Sequence, residues 1–118
     1  MLREAICAAI TGEPDLRVIM QTGSVTEALQ MTTAIIPDII LLALGYADRG
    51  DMDALIALRK LLPTTPILAL TSNEVPGQEQ AALQYGAQLV LTKAISRAEL
   101  VYALHKLFDQ IKRTEKGG

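Results

Sequence analysis

The sequence predicts a single α/β domain built on a parallel sheet, and three observations lead there. Two apolar runs without alternation, Ile39-Ile40-Leu41-Leu42-Ala43-Leu44 and Pro66 to Thr71, read as strands buried on both faces. Helix-patterned stretches separate the β-prone runs, and such alternation implies a parallel sheet with helices on both faces. The chain has 118 residues, half of them apolar, which suits one domain with one core.

Each element has its own signal. Leu2, Ala5, Ile6, Ala9 and Ile10 recur at helical spacing. Gly12-Glu13-Pro14-Asp15 ends that helix. Leu16 to Gln21, with Val18 and Ile19, reads as a short strand. Ser24 with Glu27 forms a capping-box pattern that opens a helix through about Ile35, and Pro37 stops it. After the Ile39–Leu44 strand, Gly45 to Gly50 is a loop. Met52, Leu55, Ile56, Leu58 and Leu62 mark a third helix closed by Pro63. Pro66 to Thr71 is the next strand. Pro76 fits the first turn of a polar helix, which Gly86 ends at its C′ position. Leu89 to Thr92 is a further strand. Ser96 with Glu99 is a second capping box, starting a helix with a core stripe of Leu100, Leu104, Leu107, Phe108 and Ile111. The order α β α β α β α β α opens on a helix, so a strand is missing at the front. Residues 1–112 are expected to form the domain, with 113–118 as a flexible tail.

Composition narrows the function classes. The net charge is −2, and Phe108 and three tyrosines are the only aromatics. A nucleic-acid surface built on stacking and basic patches is therefore not expected. The longest apolar stretch is interrupted by Pro37 and Asp38, so no membrane span is expected. The N-terminus carries an acidic residue at Glu4 and no secretory pattern. Cys7 is the only cysteine, which rules out an internal disulfide and fits a reduced, cytoplasmic compartment. It lies in an apolar helix pattern and is expected to be a packed thiol.

Several stretches, in order and spacing, resemble the receiver domain of bacterial response regulators, the CheY-like fold. The best match is to receivers that precede a helix-turn-helix output domain of the LuxR type. Glu13-Pro14-Asp15 with Ser24 through Leu29 resembles the region around that family's second strand and helix. Pro37-Asp38-Ile39-Ile40-Leu41-Leu42 resembles the third strand, leading into the phosphoacceptor. Leu70-Thr71, Tyr85-Gly86-Ala87 and Leu91-Thr92-Lys93 resemble the later strand ends and turn. The 22 positions from Thr71 to Lys93 match the family interval. The resemblance implies a flavodoxin-like three-layer αβα sandwich of strand order 2-1-3-4-5, lacking its first strand, with function at the carboxyl ends of the strands.

Receiver chemistry needs an acidic pair for Mg²⁺, an aspartate that attacks the phosphoryl donor, a hydroxyl and a lysine. By the resemblance, Thr71 takes the hydroxyl position and Lys93 the lysine position. The phosphoacceptor position is Ala43, whose methyl group can neither attack phosphorus nor ligate a metal. The acidic pair has no counterpart, since the chain starts about where the family's first helix starts. Ala94 replaces the usual proline after the lysine, and Val90 replaces the usual switch aromatic. Thr71 and Lys93 are then structural remnants, with Lys93 a solvated cation, or they still contact an anion or a partner. Asp48, Asp51 and Asp53 are alternative acceptors, although a helix-capping role suits Asp51 better.

Other expectations concern association. Without the first strand, either Leu16–Gln21 pairs directly with Ile39–Leu44 or a partner fills the gap. An open apolar edge invites association, so a homodimer or docking on another protein is expected. The resemblance implies an interface through Gln80, Gln84, Val90, Ala98, Val101, Tyr102 and His105. His105 is the only histidine, beside Tyr102 and Asp109; no second His or Cys lies at helical spacing to share a metal, so a solvent-facing or interface role is expected. No metal, cofactor or catalytic residue is expected. The preferred function is a signalling module acting through protein contacts with a regulator, kinase or output domain, without aspartate phosphorylation. The alternatives are a phosphoaccepting receiver, truncated or with its acceptor replaced, and a small-ligand sensor using the vacated pocket.

Overall fold

The computed structural model describes residues 2–44, 49–72 and 75–117. It contains α1 (Leu2–Thr11), α2 (Val25–Ala34), β1 (Ile40–Ala43), α3 (Arg49–Leu61), β2 (Ile67–Thr71), α4 (Gln78–Gln84), β3 (Leu89–Thr92) and α5 (Arg97–Gly117). The chain divides into two compact units. One is Met20–Ala94; the other joins Met1–Ile19 to Ile95–Gly118.

The Met20–Ala94 unit carries the sheet. Its three strands are parallel in the order β1-β2-β3. Every residue of β2 is buried, as a central strand covered on both faces must be. Leu44, Leu55, Leu58, Ile67, Ala69, Ala82 and Ala87 form one core cluster, with Leu29, Ile40, Leu42, Met52 and Val90 packed against it. Leu55 and Ile67 are wholly buried, and each such side chain contributes about 1.5–3 kcal/mol relative to exposure. The period-two parity of β1 therefore turns Ile40 and Leu42 to this cluster and Leu41 and Ala43 to the opposite face.

Local signals set the helix ends. The Ser24 hydroxyl accepts from the Glu27 N–H at 3.3 Å. The Ser24 N–H donates to Thr22 Oγ1, so the reciprocal half of the expected capping box is supplied by Thr22. Gly77, at φ 78°, is the N-cap of α4. That corrects the expected place of Pro76, which lies in the preceding turn. Gly86, at φ 123°, follows the C-cap Tyr85 as expected; this backbone conformation favours glycine.

In the other unit α1 packs on α5. Ala9 and Ile10 are buried on α1, and Leu100, Ala103, Leu104 and Leu107 on α5. The Ser96 hydroxyl caps α5 by accepting from the Glu99 N–H at 3.1 Å. The backbone of α5 is helical from Arg97 to Gly117.

One expected element does not form. Leu16 to Gln21 makes no strand, and among the described residues no strand pairs with the outer side of β1. The direct pairing considered for Leu16–Gln21 and Ile39–Leu44 is thus absent. The segment keeps an alternating half-buried and exposed pattern, with Leu16, Val18 and Met20 on the more covered side. β-propensity favours an extended chain, but a strand exists only where a neighbour completes its hydrogen-bond ladder.

Candidate functional site at the strand ends

Parallel strands deliver their carboxyl ends to one rim of the sheet. Ala43 pairs with Leu70, and Thr71 pairs with Thr92. Beyond those pairs, the Leu44 N–H donates to Leu70 O at 2.9 Å and the Lys93 N–H to Thr71 O at 2.8 Å. Adjacent strands lie about 4.8 Å apart, so Ala43, Thr71 and Lys93 occupy three neighbouring positions on that rim. This is the grouping expected from the sequence.

The chemistry of the three is limited. Ala43 is exposed and offers a methyl group, with no oxygen to attack phosphorus or bind a cation. Thr71 is 3% exposed, and its hydroxyl donates to Leu91 O at 3.5 Å, across to the neighbouring strand. At that distance the bond is weak, and the burial of Thr71 keeps its hydroxyl largely out of solvent. Lys93 is half-buried. Val90 is half-buried against the core cluster. A β-branched side chain packed there has no ring to swing between inward and outward positions. Asp48 and the side chain of Asp51 lie outside the described residues; Asp53 is exposed on α3.

Two residues that sequence reasoning missed support this rim. Gln78, 8% exposed at the start of α4, accepts from the Ser72 N–H at 2.9 Å and so ties α4 to the residue just after Thr71. Arg59 on α3 donates from Nε and both terminal nitrogens to the carbonyls of Leu62, Pro63, Thr65 and Gly86 at 2.6–3.1 Å. Burial lowers the guanidinium's pKa from its ordinary value, but arginine stays charged at any physiological pH. The cation therefore meets the carbonyls at the negative end of α3 and locks the turns before β2 and β3. A basic residue in the last turn of α3 was the only sequence trace of this role.

The expected interface residues fall in both units. Gln80 and Gln84 are exposed on α4, with Val90 half-buried on β3. On α5, Ala98 is exposed, Tyr102 is 62% exposed, and Val101 and His105 are half-buried. Lys106 Nζ stands 5.5 Å from the centre of the Tyr102 ring. His105 is not simply solvent-facing: its Nε2 lies 3.0 and 3.2 Å from the two carboxylate oxygens of Asp15.

Comparison with known proteins agrees with this fold. The response regulator receiver domain family matches residues 1–105. The response regulator protein VraR of Staphylococcus aureus is 27% identical over 117 residues, covering 99% of this chain and 53% of that protein. The chain thus spans about half the length of the curated relatives it matches. Among solved structures, a LuxR-family two-component response regulator from Aurantimonas sp. superposes with a TM-score of 0.81 at 25% identity, covering 92% of this chain and 78% of that one. The response regulator domain of Thermotoga maritima CheB superposes at 0.76 and 23% identity, covering 92% and 88%. These similarities give the flavodoxin-like, CheY-like fold, and no described helix is long and apolar enough to cross a membrane. With the family match covering most of its length, the chain belongs to the response regulator receiver domain family.

Proposed function

We propose that this receiver domain acts in signal transduction through protein contacts, without phosphorylation of an aspartate at the strand ends. The observation that carries the reading is the exposed methyl of Ala43 on the rim that also holds Thr71 and Lys93. Phosphoryl transfer needs an oxygen nucleophile there, and the burial of Thr71 supports a structural role for the remaining hydroxyl. The active form is then set by which partner or copy binds. A kinase, a regulator or an output domain is the class of partner that fits, in the cytoplasm, with no direct nucleic-acid contact by this domain.

The test is incubation with a small phosphodonor and Mg²⁺, followed by intact-protein mass spectrometry. The expected result is no stable phosphoryl adduct. An adduct that disappears in Asp48→Asn or Asp51→Asn would refute the proposal. Among the described residues no strand pairs with the outer side of β1, which also supports self-association, because Leu41 and Ala43 alternate with residues bonded to β2 and aim their backbone groups away from it. Light scattering should give a dimer mass, and a monomer at high concentration would remove that part of the proposal.

A further inference from the structure

The contact between His105 and Asp15 has a third member. Glu13 brings a second carboxylate to the same imidazole, and one ligand atom from each of the three lies within 4.8 Å of the others. All three belong to one compact unit. His105 stands on the long helix α5. Glu13 and Asp15 leave the end of α1 in a turn held by the Glu13 N–H on Ile10 O at 2.9 Å and the Leu16 N–H on Glu13 O at 3.3 Å. Pro14 between them restricts φ, so the two carboxylates are presented two residues apart from a constrained backbone. Sequence spacing could not show this, because 90 residues separate Asp15 from His105.

We propose that Glu13, Asp15 and His105 bind one Zn²⁺ ion, which clasps the turn after α1 to α5. Zinc bonds to imidazole nitrogen and carboxylate oxygen are about 2.0–2.2 Å long, so tetrahedral donors sit roughly 3.4 Å apart. Moving these donors from within 4.8 Å to that spacing takes small rotamer changes in side chains that are half-buried or exposed. The imidazole already aims Nε2 at Asp15, so the metal takes the place between nitrogen and oxygen that the hydrogen bond now occupies. One nitrogen and two carboxylates form a mixed donor set suited to Zn²⁺, whereas Mg²⁺ and Ca²⁺ prefer all-oxygen sites. Two carboxylates facing one imidazole also repel each other, and a dication relieves that repulsion. Three protein ligands leave one position for water.

The experiment is calorimetric titration of the untagged chain with ZnCl₂ at neutral pH, together with the visible spectrum of the Co²⁺-substituted protein. One equivalent of Zn²⁺ should bind, and Co²⁺ should give the intense bands of a four-coordinate site. Glu13→Gln, Asp15→Asn and His105→Gln should each weaken binding roughly tenfold or more. Cys7→Ser and Asp109→Asn should leave it unchanged, and excess Mg²⁺ should not compete. Circular dichroism checks that each variant is folded. Absence of Zn²⁺ binding, equal binding by the three ligand variants, or loss of binding in Cys7→Ser or Asp109→Asn would each overturn the assignment.

Discussion

Replacing Arg59 with methionine should be among the most damaging single changes outside the apolar core. Methionine keeps an unbranched stem but removes the guanidinium, stranding the carbonyls of Leu62, Pro63, Thr65 and Gly86. Pro63 is exposed, and its carbonyl can turn to water at little cost. Leu62 and Thr65 are buried and Gly86 is half-buried. An acceptor stranded away from water costs about 1–3 kcal/mol, and the partial exposure of Arg59 argues for the low end. Three such carbonyls give a loss of roughly 3 kcal/mol, a large share of the 5–15 kcal/mol typical of a domain. With 118 residues and an unfolding entropy of about 2.1 cal/mol/K per residue, the melting midpoint should fall by about 12 °C. Thermal and urea unfolding followed by circular dichroism measure both quantities. Arg59→Lys keeps the charge but lacks the planar fork that reaches four acceptors, so it should fall between wild type and Arg59→Met. A loss under about 1 kcal/mol for Arg59→Met, or wild-type stability for Arg59→Lys, would show that water replaces the guanidinium freely and that the network has little energetic weight.

Further outcomes follow from other positions. Ile67→Ala, at a wholly buried site in the central strand, should cost about 2–5 kcal/mol in urea unfolding. Gly86→Ala should be more harmful than Gly77→Ala: both have positive φ, but a Cβ on Gly86 meets the Arg59 side chain at 2.8 Å, whereas one on Gly77 meets nothing within 4 Å. The comparison is read from the difference in melting midpoints, and equal shifts would count against it. Ser96→Ala removes the α5 cap and should cost about 1 kcal/mol by the same assay. Without added metal, Asp15→Asn should cost no more than about 1 kcal/mol, since both partners of its contact with His105 are substantially exposed.

The elements legible in the sequence are those whose signal is local or fully covered. The apolar runs Ile39–Leu44 and Pro66–Thr71 enclose β1 and β2; β2 is buried throughout, as a run without alternation implies, whereas β1 is only half-buried with Ala43 exposed, which corrects the expectation of burial on both faces there. Ser96 and Gly86 act at the helix ends where their chemistry placed them. The rim of Ala43, Thr71 and Lys93 was legible as well, since parallel strands must bring their carboxyl ends to the same side. Leu16–Gln21 was misread because strand formation depends on a neighbouring ladder, a property of tertiary pairing that β-propensity does not contain. Arg59 and Gln78 were missed because their partners are backbone groups, and backbone groups carry no sequence identity. The meeting of Glu13 and Asp15 with His105 likewise required α1 to pack on α5. Local periodicity and the side chain at residue 43 were thus determined by the order of amino acids alone. Which carbonyls, edges and distant carboxylates would meet was decided only when the chain folded, because hydrogen bonds and ligand sets depend on distance in space.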